Sequence, residues 1–252
     1  MIITGAALMI GSKVFAQEYK LAKSSGRLEI KEVNQVMIEG YDGKEITFSS
    51  LDKAREKDER AAGLKAINSM GLDDNTGLGL SVVDKGNVVE VYQLKKIDGP
   101  RVKIQVPKGV IVSYNHSSSY GSKVSFKNLE NELEVSTLHS GIELENVTGP
   151  LTIKTVHGKV EVNLSNNTKT PVSIVSVHGL IDVTLPVAAK ANLTMGTQYG
   201  EIYVDPAFKI DFEKKNDEWV TYGSGKVKGT LNGGGLDITL SSSHGNIYLR
   251  KK

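Results

Sequence analysis

Five stretches of this chain lie over one another without a gap, and that frame restricts the fold more than any other feature. With His139, His157, His178, Tyr199 and His244 as zero points, positions −6 and −4 are Leu133/Val135, Leu151/Ile153, Val172/Ile174, Leu193/Met195 and Ile238/Leu240. Positions +3 and +5 are Ile142/Leu144, Val160/Val162, Ile181/Val183, Ile202/Val204 and Ile247/Leu249. All twenty are apolar. At −2 stand Thr137, Thr155, Ser176, Thr197 and Ser242, each with a hydroxyl. Self-similarity of this kind marks a repeat architecture. Each apolar pair has period two, so each half-unit reads as a short strand with one buried face. The stretch between the halves carries Gly158, Gly179, Gly200 and Gly245 at +1. It reads as a corner, where glycine is expected to supply a positive φ.

The zero points are 18, 21, 21 and 45 residues apart. The last interval predicts a degenerate unit around residues 219–231, so His244 is expected two rungs beyond Tyr199. Upstream, Ser25 enters the frame with Tyr19/Leu21 before it and Leu28/Ile30 after it. His116 enters with Val110 and Val112, its second half, Val124 and Phe126, delayed five residues by a turn insertion. Units of about twenty residues with short strands and no recurring helix point to an all-β chain built as a β-solenoid. An antiparallel β-sandwich with His-Gly hairpins has similar periodicity and is the alternative. The solenoid is favoured because insertions fall in corners while the apolar frame survives.

Residues 50–109 break the pattern, with an insertion near 50–72. Eight of the nine residues Asp52–Arg60 are charged, with mixed signs, and Ser50 offers a cap. An exposed helical insertion is expected, with Leu51, Ala54, Ala61, Leu64 and Ile67 as a thin apolar stripe, or else a disordered loop. The first sixteen residues hold an apolar run and place Val14 and Ala16 at the −3 and −1 positions of a cut after Ala16. This reads as a secretory signal peptide over residues 1–16, although Lys13 follows the apolar run instead of preceding it. Residues 17–252 are then the β-solenoid domain, exported to the periplasm, cell surface or medium. No later segment reaches the ~18 apolar residues of a membrane helix.

The formal net charge of +2 shows no basic excess, which argues against a nucleic-acid partner. Cysteine is absent, which removes disulfides, thiol nucleophiles and cysteine-based zinc sites.

The segments "VKIQVPKGVIVSY" and "ELEVSTLHSGIELENVTGPLTIKTVHGKVEV" resemble the bacterial putative adhesin family of exported β-strand-repeat proteins, a domain of unknown function. The resemblance covers roughly residues 100–252 and, more weakly, 17–50. It implies a single-stranded, right-handed β-helix-like fold and an adhesin-like place in the cell envelope. It assigns no activity.

The histidine row allows two chemistries. Stacked on one corner about 4.8 Å apart, His139, His157 and His178 offer imidazoles to a metal, although a row supplies two ligands to one ion more readily than the three or four zinc takes. The structural reading makes His139, His157, His178, Tyr199 and His244 a stacked aromatic corner whose imidazoles bond the hydroxyls or corner backbone. A second row at +4 faces outward: Glu143, Glu161, Asp182, then Tyr203 and Tyr248. Three carboxylates at strand spacing repel one another unless cations intervene. Calcium, or Lys154 and Lys159, could neutralise them, and a polysaccharide-cleaving site could use them. The two tyrosines could stack on sugar rings. "DDNTG" at 73–77 has the look of a calcium loop but lacks the glutamate of an EF-hand. No metalloprotease, nucleophile-elbow, P-loop or dinucleotide motif is present. The expectation is a non-enzymatic binding or structural protein with no cofactor, whose partner is an envelope protein or glycan. An exposed terminal rung would also invite self-association into a homo-oligomer.

Overall fold

The structure is a computed structural model that describes residues 18–52, 59–213 and 226–252. The expected leader and much of the expected degenerate unit lie outside those residues. The first half contains β1 (Glu18–Leu21), β2 (Gly26–Lys31), β3 (Gln35–Tyr41), β4 (Ile46–Ser50), β5 (Leu80–Asp84), β6 (Val88–Gln93), β7 (Arg101–Pro107), β8 (Val110–His116) and β9 (Val124–Lys127). The repeat region contains β10 (Leu133–Thr137), β11 (Ile142–Val147), β12 (Leu151–Thr155), β13 (Val160–Leu164), β14 (Val172–Ser176), β15 (Ile181–Leu185), β16 (Ala191–Thr197) and β17 (Ile202–Val204). The chain continues through β18 (Ile210–Phe212), β19 (Lys226–Leu231), β20 (Leu236–Ser242) and β21 (Ile247–Lys251).

These strands form two long sheets. Sheet A runs β1-β4-β7-β3-β9-β11-β13-β15-β21-β17, and sheet B runs β18-β19-β16-β20-β14-β12-β10-β8-β2-β6-β5. Pairing is parallel through the middle of both sheets. Among the described residues, antiparallel pairs occur only towards the sheet ends: β1 with β4, β4 with β7, β5 with β6, and β19 with both β16 and β18. The −6/−4 strands lie in sheet B and the +3/+5 strands in sheet A, so the His-Gly corners carry the chain from one sheet to the other. They are not hairpins, and the antiparallel sandwich does not hold. The apolar pairs from both sheets fill one core. All twenty frame positions are buried except Ile202 and Val204 on the edge strand β17, which are partly covered.

The order of the stack departs from the order of the chain at both ends. The repeat frame predicts Tyr199 beside His178, but β20 pairs with β14 on one side and β16 on the other. Likewise β21 lies between β15 and β17. The unit 236–251 thus fills a slot between the units that precede it. At the other end β2 lies between β6 and β8, and β3 between β7 and β9. The expected extra rung around 219–231 is absent where it is described: β19 runs antiparallel to β16.

Two local expectations do not hold. Leu28 of β2 pairs with Val112 in sheet B, so Ser25 is out of phase by half a unit. Val112 and Tyr114 pair with Leu133 and Val135, which places His116 opposite Thr137, at the −2 position. His116 therefore points inward, and the corner insertion after it is three residues instead of five. In the 50–72 segment the described residues hold only a one-turn 3₁₀ helix, Glu59–Ala61, while Leu51, Leu64 and Ile67 are exposed. Ala54 lies outside the described residues. The Ser50 hydroxyl accepts the Asp52 N–H instead, a local turn.

Candidate functional site

The corner begins with what the −2 hydroxyls do. Thr137, Thr155, Ser176 and Ser242 are buried, and they do not reach the imidazoles as expected. Thr137 Oγ1 donates to Ser140 O at 3.2 Å, Thr155 to Gly158 O at 3.4 Å and Ser176 to Gly179 O at 2.7 Å. The hydroxyl thus closes its own corner by satisfying a carbonyl that the turn has removed from the ladder. Glycine at +1 also has a different cause from the one expected. Gly158, Gly179, Gly200 and Gly245 are not among the positive-φ residues. A Cβ on Gly158 would overlap Ser140 O, one on Gly179 would overlap Gly158 O, one on Gly245 Gly179 O, and one on Gly200 Gly245 O. The corners touch backbone to backbone, and only glycine permits that approach.

Closed this way, the corner pushes its zero residue into solvent. The backbone N–H groups of His157, His178 and His244 donate to Leu138 O, Val156 O and Val177 O at 2.9, 2.7 and 2.8 Å. The outward side chains then stack. Ring centroids are 5.0 Å apart for His139/His157 and 4.9 Å for His157/His178, with planes within 10°. His178/His244 follows at 4.6 Å and Tyr199/His244 at 4.7 Å. Among the described residues the result is a five-ring ladder, with Tyr199 as its last ring. Among the described residues, no three histidine, aspartate or glutamate side chains gather around one point where a metal could sit.

His116 stands apart from this ladder. Its ring is buried, stacked 6.2 Å from Tyr114, with Nε2 3.0 Å from Asn34 Oδ1 and Nδ1 3.4 Å from Ser140 Oγ. Burial pushes its pKa below the usual imidazole value, against the pull of the Glu32 carboxylate and with the help of His139. Partial burial acts on Glu32 in the opposite sense, yet hydrogen bonds from Ser117 and Ser118 hold its carboxyl below the usual range.

The outward row on sheet A is in register: Glu143 pairs with Glu161, Glu161 with Asp182, Asp182 with Tyr248 and Tyr248 with Tyr203. Each carboxylate has its own cation. Lys123 Nζ is 2.7 Å from Glu143, Lys159 Nζ 3.0 Å from Glu161 and Arg250 Nε 2.9 Å from Asp182. Lys159 fulfils its expected role. Lys154 does not, because β12 turns it outward on sheet B, on the side of Glu134. At the end of the row the Tyr203 and Tyr248 rings stack at 5.2 Å and 9°, and the Arg250 guanidinium lies 5.0 Å from the Tyr248 ring. Tyr203 donates its hydroxyl proton to Glu201, whose carboxylate raises the phenol pKa.

The "DDNTG" segment is a closed turn. Asp74 accepts the N–H groups of Thr76, Gly77 and Gly79 and the Thr76 hydroxyl, which uses the oxygens a cation would need.

One feature escapes the histidine-based frame. At the opposite corner Asn128 and Asn146 adopt φ of 52° and 55°, and Asn146 Nδ2 donates to Asn128 Oδ1 at 2.8 Å. They line a groove in which Lys108 bridges Asp42 and Glu130 at 2.9 and 3.0 Å. The signal is present as Asn-Leu and Asn-Val at 128–129 and 146–147, since asparagine tolerates left-handed backbone. Units aligned on histidine hide it.

A crystallised putative cell adhesion protein from Clostridium sporogenes is similar to the chain over 94% of its length and 100% of that protein's, with 12% identity and a TM-score of 0.42. No curated protein matches the chain. Residues 87–250 match the model of the Toastrack DUF4097 family. That match spans the parallel repeat region and both outward rows, and the chain belongs to the Toastrack DUF4097 family.

Proposed function

We propose that this protein is an exported, non-enzymatic β-solenoid that binds a partner of the cell envelope through the side-chain ladders on its outer surface. The observation that carries the reading is the in-register row Glu143, Glu161 and Asp182, in which every carboxylate is held by its own cation. A glycosidase needs one carboxyl free to donate a proton and a second positioned to act as nucleophile or base. Carboxylates engaged one by one in surface ion pairs suit a recognition surface better. Export is supported by the apolar run ahead of Ala16 and by the resemblance to exported adhesins. A right-handed solenoid with rungs of about twenty residues is the finer reading of the fold. Leu133 faces Leu151 and Leu151 faces Val172, offsets of 18 and 21 residues, and parallel crossovers are almost always right-handed.

Incubation of residues 17–252 with plant and bacterial polysaccharides tests the non-enzymatic reading. No reducing ends should be released, by the wild type or by Glu161→Gln. Turnover lost in Glu161→Gln, with the fold intact, would make the protein a hydrolase or lyase. Zinc, copper or calcium should leave the melting temperature unchanged. A saturable rise abolished in His157→Ala/His178→Ala would make the corner a metal site.

A further inference from the structure

Among the described residues both ring ladders end on the same unit, and both end in tyrosine. The corner ladder runs His139, His157, His178, His244, Tyr199, and the sheet A row ends Tyr248, Tyr203. The rings lie within 10° of parallel from His139 to His178 and in the Tyr203/Tyr248 pair, and are inclined by 31° and 24° at His178/His244 and Tyr199/His244, so ring faces look broadly along the stack. β17 is the last strand of sheet A. The outer face of Tyr203 therefore has no further strand beyond it among the described residues. Tyr199 is 69% exposed and Tyr203 46%.

The short stretch from Tyr199 to Tyr203 rounds one corner, so two exposed aromatic rings stand on either side of Glu201. The polar groups between and beside them are organised. Glu201 accepts the Tyr203 hydroxyl, the Glu201 N–H donates to Asn246 Oδ1 at 2.9 Å, and Gln198 Nε2 donates to the Tyr199 hydroxyl at 3.2 Å. Tyr199 keeps its hydroxyl proton for a ligand, and Glu201 keeps acceptor capacity.

We propose that this terminal unit binds a neutral oligosaccharide of pyranose rings, with Tyr199 and Tyr203 as stacking platforms and Glu201 and Gln198 as hydrogen-bonding groups. The proposal rests on the reading of the protein as a binding module and names the ligand class and site. A pyranose has apolar C–H faces and a rim of hydroxyls, and aromatic faces separated by a carboxylate and an amide match that alternation. The Glu201 carboxylate disfavours acidic glycans and phosphate polymers. A protein partner would want a contiguous apolar centre, whereas here polar side chains interrupt the aromatic area.

Affinity electrophoresis of residues 17–252 in gels containing dextran, mixed-linkage β-glucan, galactomannan, xylan or polygalacturonate tests it, with size-exclusion chromatography alongside. At least one neutral polymer should retard the wild type and polygalacturonate should not. Tyr199→Ala and Tyr203→Ala should each weaken retardation roughly tenfold, the scale of one lost aromatic contact, at an unchanged melting temperature. Tyr203→Phe should keep it, because the face survives, and Tyr120→Ala, an exposed tyrosine elsewhere, should be silent. Retardation that survives both alanine variants but disappears in Arg250→Ala would overturn this site while leaving a binding module. Retardation by no neutral polymer would overturn the ligand class. Concentration-dependent self-association abolished by Tyr199→Ala would show that a second copy of the chain occupies this end, and would also overturn it. Failure of the underlying non-enzymatic reading would look different, as release of reducing ends.

Discussion

Gly179 and Gly141 separate two uses of the smallest residue. A Cβ at 179 would collide with the carbonyl of Gly158, whereas one at 141 meets only Lys159 atoms at 3.8 and 4.0 Å, without a positive φ. Gly179→Ala must push apart a pair of corners that the Ser176 hydroxyl also helps to close, and should cost at least about 2 kcal/mol. Gly141→Ala should be neutral, or stabilise by a few tenths of a kcal/mol through the unfolded chain. Urea denaturation of the two variants checks the contrast. His116 gives a pH dependence at the same scale. Its folded pKa is depressed below the ordinary imidazole value of 6.5, so the unfolded chain takes up the proton first as pH falls. Its contribution is complete above about pH 6.5 and is lost progressively below it as pH approaches the folded value. Glu32 is depressed from a carboxylate value of 4.5, so its contribution disappears only in a second, more acidic window. Melting curves should show the first loss in the wild type and not in His116→Asn. The local sequence sets His116 apart by Tyr114 at −2 and by its late second half, but not by its burial, which is set by a register two residues away from the apparent one.

Among the elements, β20 and β21 matter most. They bury Ile238, Leu240, Ile247 and Leu249, and at ~1.5–3 kcal/mol per buried side chain this amounts to roughly 6–12 kcal/mol before entropy. That is comparable with the whole net stability of an ordinary domain, about 5–15 kcal/mol. Because they lie inside the stack, their loss also strips β16 and β17 of their parallel neighbours. A chain ending at Leu231 should expose residues 186–231 to limited proteolysis while the units from β8 to β13 stay protected, as mass spectrometry of the fragments would show. On the outer face, by contrast, Arg250→Ala should change stability by no more than about 1 kcal/mol, since exposed ion pairs contribute little. Elements of this kind are legible wherever the core dictates the residue. Twenty apolar positions locate the repeat strands, because each strand must alternate to bury one face. The pairing order is not legible, since β14 presents the same Val-x-Ile face to any neighbour with a matching pair.

Taken as a whole molecule, the fold is a double-sheeted stack with one continuous core and its surface chemistry written in rows. Much of the candidate site can be read from the sequence, because outward residues inherit the register of inward ones: Glu143, Glu161, Asp182, Tyr248 and Tyr203 all lie in the row expected of them. Their partners are harder to see. Lys123 and Arg250 reach the carboxylates from one residue before a strand and from a neighbouring unit, distances in sequence that no local pattern encodes. The asparagine corner escapes for a related reason, since its φ values are set by the turn and leave no apolar trace. The slot filled by residues 236–251 also constrains time. A chain delivered from its amino end presents residues 191–204 well before the strands that must lie between them and residues 172–185 exist. Until β20 and β21 arrive, two parallel edges face a gap one strand wide in each sheet, each able to take any extended segment in reach. The protein becomes closed to strangers only when residues 236–251 are threaded into place between units made before them, so this segment acts as the lock of the fold and not as its cap.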